Sequence, residues 1–119
     1  VAKIGRKQSH RFKQDNRMKA LTGACLKMIN DFDAQHLANT AWAYATIDTE
    51  APALFNAIAA DAALTKLDGF NPQNLANTAW AFATASVEAP DLFNAIAAAA
   101  LTKLDGFNPQ NLANTAWAF

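Results

Sequence analysis

The fold of this chain is decided by the stretch Asn71-Pro72-Gln73-Asn74-Leu75-Ala76-Asn77-Thr78-Ala79-Trp80-Ala81-Phe82, which occurs three times in nearly the same form. The other two copies span residues 33–44 and 108–119, and the tryptophans of the three copies stand at positions 42, 80 and 117. The repeat is therefore 38 and then 37 residues long. Self-similarity at a period of about 20 to 50 residues is typical of solenoids and other repeat arrays.

Each repeat is predicted to begin with a helix. Asn71 is a favourable N-cap, and Pro72 suits the first helical position because its ring presets the backbone and its missing N–H costs nothing there. Leu75, Ala79 and Phe82 follow at spacings i, i+4 and i+7, which places them on one apolar stripe. This stripe needs a neighbouring helix to cover it.

A second helix is predicted to open at Pro90 and to end at Gly106. Its expected apolar side consists of Leu92, Phe93, Ile96, Leu101 and Leu104. Gly106, and Gly69 in the preceding repeat, are expected to end this helix in the left-handed conformation that favours glycine. The preceding repeat has one extra residue in its second helix, and such an insertion rotates the part that follows by about 100°.

The chain is thus predicted to be all-α, an α-solenoid of stacked helix-turn-helix repeats of 37–38 residues. One helix pair cannot bury its apolar stripe alone, so neighbouring pairs must stack. Alanine supplies 29 of the 119 residues, and small side chains allow helices to approach closely. The predicted segments are a basic arm (1–15), a degenerate half repeat (16–31), two repeats (32–69 and 70–106) and a truncated repeat (107–119). Because the last copy stops inside a helical pattern, we expect a piece of a longer array.

Charge is unevenly distributed along the chain, although ten basic and ten acidic residues give a net charge of zero. Residues 1–31 contain eight Lys or Arg and two acidic residues, whereas residues 32–119 contain two Lys and eight acidic residues. A basic arm on an acidic body is typical of contact with phosphate or an anionic surface, and the alternative is a solvated tail. The residues predicted to contact phosphate are Lys3, Arg6, Lys7, Arg11 and Lys13.

The sequence carries no pattern that indicates catalysis. A single cysteine, Cys25, excludes an internal disulfide framework and a cysteine-based zinc site. There is no phosphate-cradling glycine loop, no Ser/His/Asp set and no metal-ligand cluster, so we expect no enzyme activity, cofactor, metal or small-molecule substrate. No apolar run approaches the about 20 residues that cross a membrane, and no targeting segment is visible.

The segment 72–83 resembles the Pro-Gln-x-Leu-Ala-Asn-x-x-Trp-Ala-x-Ala segment of octotricopeptide repeat proteins, whose repeat length is also similar. The resemblance covers residues 32–119. It implies an organellar RNA-binding solenoid that acts in RNA stability, splicing or translation in a chloroplast or mitochondrion, often with a RAP domain. Single-stranded RNA is the implied partner, together with other proteins of an RNA-processing complex. The sequence departs from that family at the end of the first helix, where Ser86 replaces a glycine.

A solenoid that reads single-stranded RNA needs two or three side chains per repeat on one face. Asn and Thr both donate and accept hydrogen bonds, so they can meet a base edge. The predicted base contacts are Asn39 and Thr40, Asn77 and Thr78, and Asn114 and Thr115, with Gln35, Gln73 and Gln110 nearby. The alternative for each asparagine is a hydrogen bond to the backbone of a neighbouring repeat.

The tryptophans and one histidine receive other predictions. Trp42, Trp80 and Trp117 stand at helical spacing beside Ala and Phe, so we assign them to the core rather than to base-stacking platforms. His36 replaces an asparagine of the other repeats and is interpreted as a surface substitution.

Two function classes follow from these patterns. The first is binding of single-stranded RNA. The second is a protein-interaction scaffold, which is favoured by the acidic body and by the presence of only one lysine in each repeat.

Overall fold

The computed structural model describes residues 16–47 and 50–119, apart from the side chains at positions 63 and 64, and all regular elements in these ranges are helical. The six α-helices are α1 (Asn16–Met28), α2 (Ala34–Thr46), α3 (Pro52–Asp61), α4 (Pro72–Thr84), α5 (Pro90–Thr102) and α6 (Pro109–Ala118). The predicted basic arm, with Lys3, Arg6, Lys7, Arg11 and Lys13, lies outside the described residues.

The helices form two layers of a solenoid. The first helices of successive repeats, α2, α4 and α6, pack side by side over most of their length. The second helices lie behind them, where α1 contacts α3, and α5 contacts the segment that continues α3. The predicted all-α solenoid of helix pairs is therefore confirmed, while its division into five segments stays a prediction.

The start of each first helix is fixed by a capping box. The Asn71 side chain accepts a hydrogen bond from the Asn74 N–H (2.7 Å), and the Asn74 side chain accepts one from the Asn71 N–H (3.1 Å). Asn108 and Asn111 repeat this arrangement at α6. At α2, Asp33 and His36 take the same two positions, so the exposed His36 is a capping residue.

The core lies between the two layers. The predicted stripe Leu75, Ala79 and Phe82 is completely buried, and Phe82 meets Phe55 of α3 edge to face with ring centroids 5.1 Å apart. This arrangement joins the layers across two repeats. Such an aromatic contact contributes about 0.5 to 1.5 kcal/mol beyond the burial of its area.

The apolar side predicted for the second helix is only partly correct. Leu92 and Ile96 are buried, but Leu101 and Leu104 are 72% and 47% exposed. Leu101 follows Leu92 by nine residues, which at 100° per residue places it on the opposite side of α5. Ala100 continues the buried stripe instead.

A π-helical turn absorbs the extra residue of the earlier repeat. It spans Ala62–Lys66 and continues α3, whereas the corresponding part of α5 stays α-helical. Because a π turn holds one residue more than an α turn, the register recovers after it. The predicted rotation is therefore wrong, and Lys66 reaches the position equivalent to Lys103.

The two lysines of the repeats hold successive repeats together. The Lys66 ammonium donates to the carbonyls of Asn30 (2.9 Å) and Phe32, and Lys103 donates to those of Asp68 (3.0 Å) and Phe70. These carbonyls stand at the short 3-10 turns Ile29–Asp31 and Leu67–Gly69 of the preceding unit. Each lysine thus satisfies backbone acceptors that a turn leaves without a partner.

The end of α4 has its left-handed residue at Ser86, and the glycines predicted to end the second helices do not adopt this conformation. Gly69 and Gly106 end 3-10 turns, and none of the glycines in the described ranges has a positive φ, so the predicted glycine caps are wrong. A 3-10 turn closes on itself with right-handed backbone and needs no left-handed residue. Ser86 has φ 58°, and the Val87 N–H bonds back to the Phe82 carbonyl (3.0 Å). This is a Schellman motif.

A buried hydroxyl pair attaches α1 to the first complete repeat. The Tyr44 and Thr22 hydroxyl oxygens are 2.8 Å apart. Burial raises the pKa of Tyr44 above its usual value of 10.0, against the opposing effect of the Thr22 hydrogen bond.

None of the helices in the described part combines the length and apolar character that a membrane span requires.

Candidate functional site

One exposed stripe runs along each first helix. On α4 it consists of Gln73, Asn77, Trp80 and Thr84, at spacings i, i+4, i+7 and i+11. These spacings return to the same side of a helix. The equivalent residues are Gln35, Asn39, Trp42 and Thr46 on α2, and Gln110, Asn114 and Trp117 on α6.

Because α2, α4 and α6 pack side by side, these stripes align into rows that cross the helices. We call them the Gln row (Gln35, Gln73, Gln110), the Asn row (Asn39, Asn77, Asn114) and the Trp row (Trp42, Trp80, Trp117). Together they form the amide–tryptophan face. The structure therefore brings the predicted Gln and Asn residues together on one surface, once per repeat.

An open groove of about 800 Å³ lies on this face between α2 and α4. Gln35 and Asn39 line it from one side, and Gln73 and Asn77 line it from the other. The turn before α2 contributes further polar groups, among them Asp33. The groove thus presents amide donors and acceptors from two successive repeats to one ligand.

The amide side chains of this face are not engaged within the protein. Across residues 16–47 and 50–119, none of the six side chains of the Gln and Asn rows hydrogen-bonds to another protein group. The alternative interpretation, in which each asparagine ties its repeat to the next, is therefore wrong. Lys66 and Lys103 make that connection instead.

The predicted threonine contacts are not part of the exposed face. Thr78 is completely buried, and its hydroxyl has no hydrogen-bond partner. Thr40 and Thr115 are half-buried, and the Thr115 hydroxyl donates to the Asn111 carbonyl (2.7 Å). Adjacent residues of a helix diverge by about 100°, so Asn77 and Thr78 cannot face the same ligand. The prediction of a base contact is wrong for Thr78.

The tryptophans are not buried core residues, although Trp80 packs against the edge of the core. Trp42 and Trp117 are 43% and 62% exposed, and Trp80 is half-buried between them. The ring centroids of Trp42 and Trp80 are 5.9 Å apart, and those of Trp80 and Trp117 are 6.4 Å apart. The assignment to the core overlooked that Trp80 follows the polar Gln73 by seven residues, a spacing that places both on the exposed stripe.

The side chains of the three rows carry no formal charge, but Asp31 and Asp33 also line the groove on this face. Lys66 and Lys103 are the only basic residues of segment 32–119, and both are held by backbone carbonyls. Exposed Lys19 and Lys27 on α1 are basic groups in the described part. A ligand of the groove therefore meets hydrogen-bonding amides beside the carboxylates of Asp31 and Asp33.

Thr78→Val is expected to raise the free energy of unfolding by about 1 kcal/mol, because it removes a buried hydroxyl without a partner and keeps the side-chain shape. Thr115→Val is the control, since it removes a hydroxyl that is hydrogen-bonded. Urea unfolding followed by circular dichroism measures both. Destabilisation by Thr78→Val would show that its hydroxyl does have a partner.

No group of three or more His, Cys, Asp or Glu side chains in the described ranges is arranged to hold a metal ion.

A family model described as "RNA-editing substrate-binding complex 6 protein" matches residues 9–119. No curated protein matches the chain significantly.

Proposed function

Since the chain belongs to the family of RNA-editing substrate-binding complex 6 proteins, we propose that it is an RNA-binding segment of an α-solenoid that works in such a complex. The observation that carries the proposal is the amide–tryptophan face, where unengaged Gln and Asn side chains recur once per repeat along one groove-bearing surface. The family match supports an RNA-related function, while the resemblance to octotricopeptide repeat proteins stays a prediction.

Single-stranded RNA is the proposed ligand, lying across α2, α4 and α6. The amide groups of the Gln and Asn rows would donate to and accept from the exposed edges of unpaired bases. Because the repeats are nearly identical, successive bases would meet the same side chains. A preference for runs of one base is expected, and the segment would bind without catalysing a reaction.

Phosphate contacts would come from outside the amide–tryptophan face. Lys19 and Lys27 are exposed on α1, and the basic residues of segment 1–15 are close to them in sequence. RNA affinity should therefore fall with rising salt, with a slope set by how many of these basic residues contact phosphate.

The cellular setting is part of the proposal. The family description implies protein partners within an RNA-editing substrate-binding complex. A mitochondrial location is compatible with this role because RNA-editing complexes are mitochondrial in some organisms, whereas nothing supports the predicted chloroplast. Roles in splicing or translation stay predictions.

A protein-interaction scaffold is the second candidate function. It is favoured by the engagement of both repeat lysines with carbonyls, which leaves segment 32–119 with an acidic surface. A scaffold would bind a protein partner of the complex and show no affinity for RNA at low salt.

Asn77→Ala tests the proposed function. Fluorescein-labelled homopolymeric RNAs of the four bases are titrated with the protein, and anisotropy reports the Kd. Loss of a base-edge contact should weaken binding of the preferred RNA by about 1 to 3 kcal/mol, by analogy with amide–base pairs in DNA grooves. Asn94→Ala is the matched control, since Asn94 is an exposed asparagine on α5 in the other layer. Equal affinity of the two variants, or no binding of any RNA, would contradict the proposal.

A further inference from the structure

We infer that the Trp row is a platform on which unpaired bases of single-stranded RNA stack. This inference rests on the proposed function and adds a second kind of contact to it. The Asn and Gln rows select among bases, whereas the Trp row would hold any base by its flat face. Stacking on aromatic side chains tolerates sequence because every base has such a face.

The exposure of the row is the first step of the argument. Trp42 leaves 43% of its surface open to solvent, and Trp80, which has a neighbouring first helix on either side, is half-buried. Single exposed apolar residues are common on proteins, but contiguous ones mark binding surfaces. Because these indoles stand at the same position of successive repeats and contact each other, they form one continuous strip.

The geometry of the row suits a spread single strand. Neighbouring indole centroids are 5.9 and 6.4 Å apart, with ring planes inclined by 32° and 37°. This spacing exceeds the about 3.4 Å between stacked bases along one strand of a duplex. A strand that follows the row must therefore hold its bases apart, as single strands do on RNA-binding proteins.

The rows beside the tryptophans distinguish RNA from an apolar protein segment. Asn77 precedes Trp80 by three residues on α4, and Thr84 follows it by four, so hydrogen-bonding side chains flank the indole on both sides. A base combines a flat apolar face with a polar edge. An apolar helix docked here would bury the neighbouring amides without partners, which costs free energy.

Intrinsic fluorescence provides the first test, because the three tryptophans of the chain are the three members of the row. The intact protein is titrated with an unlabelled RNA of the preferred base, and tryptophan emission is recorded. Stacking should quench the emission with the same Kd that anisotropy reports. Binding of RNA without any change in emission would overturn the platform while leaving the proposed function intact.

A pair of variants provides the second test. Trp42→Leu keeps an apolar side chain but removes the aromatic face, whereas Trp42→Phe keeps an aromatic ring. We expect Trp42→Leu to weaken RNA binding about 5- to 150-fold, the range for the loss of one stacked base, and Trp42→Phe to retain most of the affinity. Because Trp42 is 43% exposed and its ring contacts that of Trp80, thermal unfolding of both variants is measured as well, and RNA binding is compared at a temperature at which all three proteins are folded.

The remaining outcomes are decisive as well. Equal affinities of the parent protein, Trp42→Leu and Trp42→Phe would overturn the platform, and the Asn77→Ala result would then show separately whether RNA binding itself stands. Equal weakening of both Trp42 variants would also overturn it, because stacking requires the two to differ. If a partner protein quenches the tryptophan emission and RNA does not, the Trp row is a surface that binds protein rather than a platform for bases.

Discussion

Phe82→Ala is expected to lower the free energy of unfolding by about 3 to 5 kcal/mol. Phe82 is completely buried and meets Phe55 edge to face at 5.1 Å, so its removal leaves a cavity between α3 and α4. Domains of this size have a total stability of only about 5 to 15 kcal/mol. The variant should therefore be close to unfolding at room temperature in urea titrations followed by circular dichroism.

Phe119→Ala is the matched control for this prediction. Phe119 holds the same place in the next repeat and makes the same kind of contact with Phe93, at 5.3 Å, but it is 59% exposed. Its removal should cost less than about 1 kcal/mol, since little buried area is lost. Similar losses for the two variants would show that Phe82 is not the residue that joins the layers.

Lys66→Met is expected to cost about 3 kcal/mol, from two hydrogen bonds to a charged donor at about 1.5 kcal/mol each. The Lys66 ammonium bonds the carbonyls of Asn30 and Phe32, at the junction with the preceding unit, and lies 2.8 Å from the Asp61 carboxylate. The side chains of Lys66 and Asp61 are only 24% and 13% exposed. Without the lysine, Asp61 would keep a mostly buried charge with no cation beside it.

Lys103→Met separates the contribution of the carbonyl hydrogen bonds from that of the Asp61 charge. Lys103 makes the equivalent carbonyl bonds, but in its repeat the acidic residue is replaced by alanine. Lys103→Met should therefore cost less than Lys66→Met, and adding Asp61→Ala to Lys66→Met should recover part of the difference. Chemical unfolding of the four proteins gives these values. Equal costs for the two lysine variants would argue against a contribution from the Asp61 charge.

Local features of the chain were predictable because they depend on neighbours in sequence. Asn71 as N-cap, Pro72 at the first helical position and the buried stripe of Leu75, Ala79 and Phe82 all lie within about three helical turns. Repetition of the same pattern then implied stacking. The Gln and Asn residues of the candidate site were also identifiable, because their types and their recurrence are visible without coordinates.

The two errors about the candidate site share one cause, which is that a helix within a solenoid is covered on three sides. Thr78 looks like a second polar contact beside Asn77, yet helices on either side and behind bury it completely. Trp80 looks like a core residue, yet it is only half-buried and contacts the tryptophans of α2 and α6 on either side. Hydrophobicity alone does not reveal which side remains open.

The sequence by itself determined the repeat, the helix pairs and the residue types offered to a ligand, because these follow from spacing and from local hydrogen bonding. Only the tertiary structure decided which side of each first helix stays exposed and how the rows align across repeats. It also decided the role of the lysines, since Lys66 bonds carbonyls 34 and 36 residues earlier in the chain. Such contacts depend on the packing of whole helices, which the order of neighbouring residues does not encode.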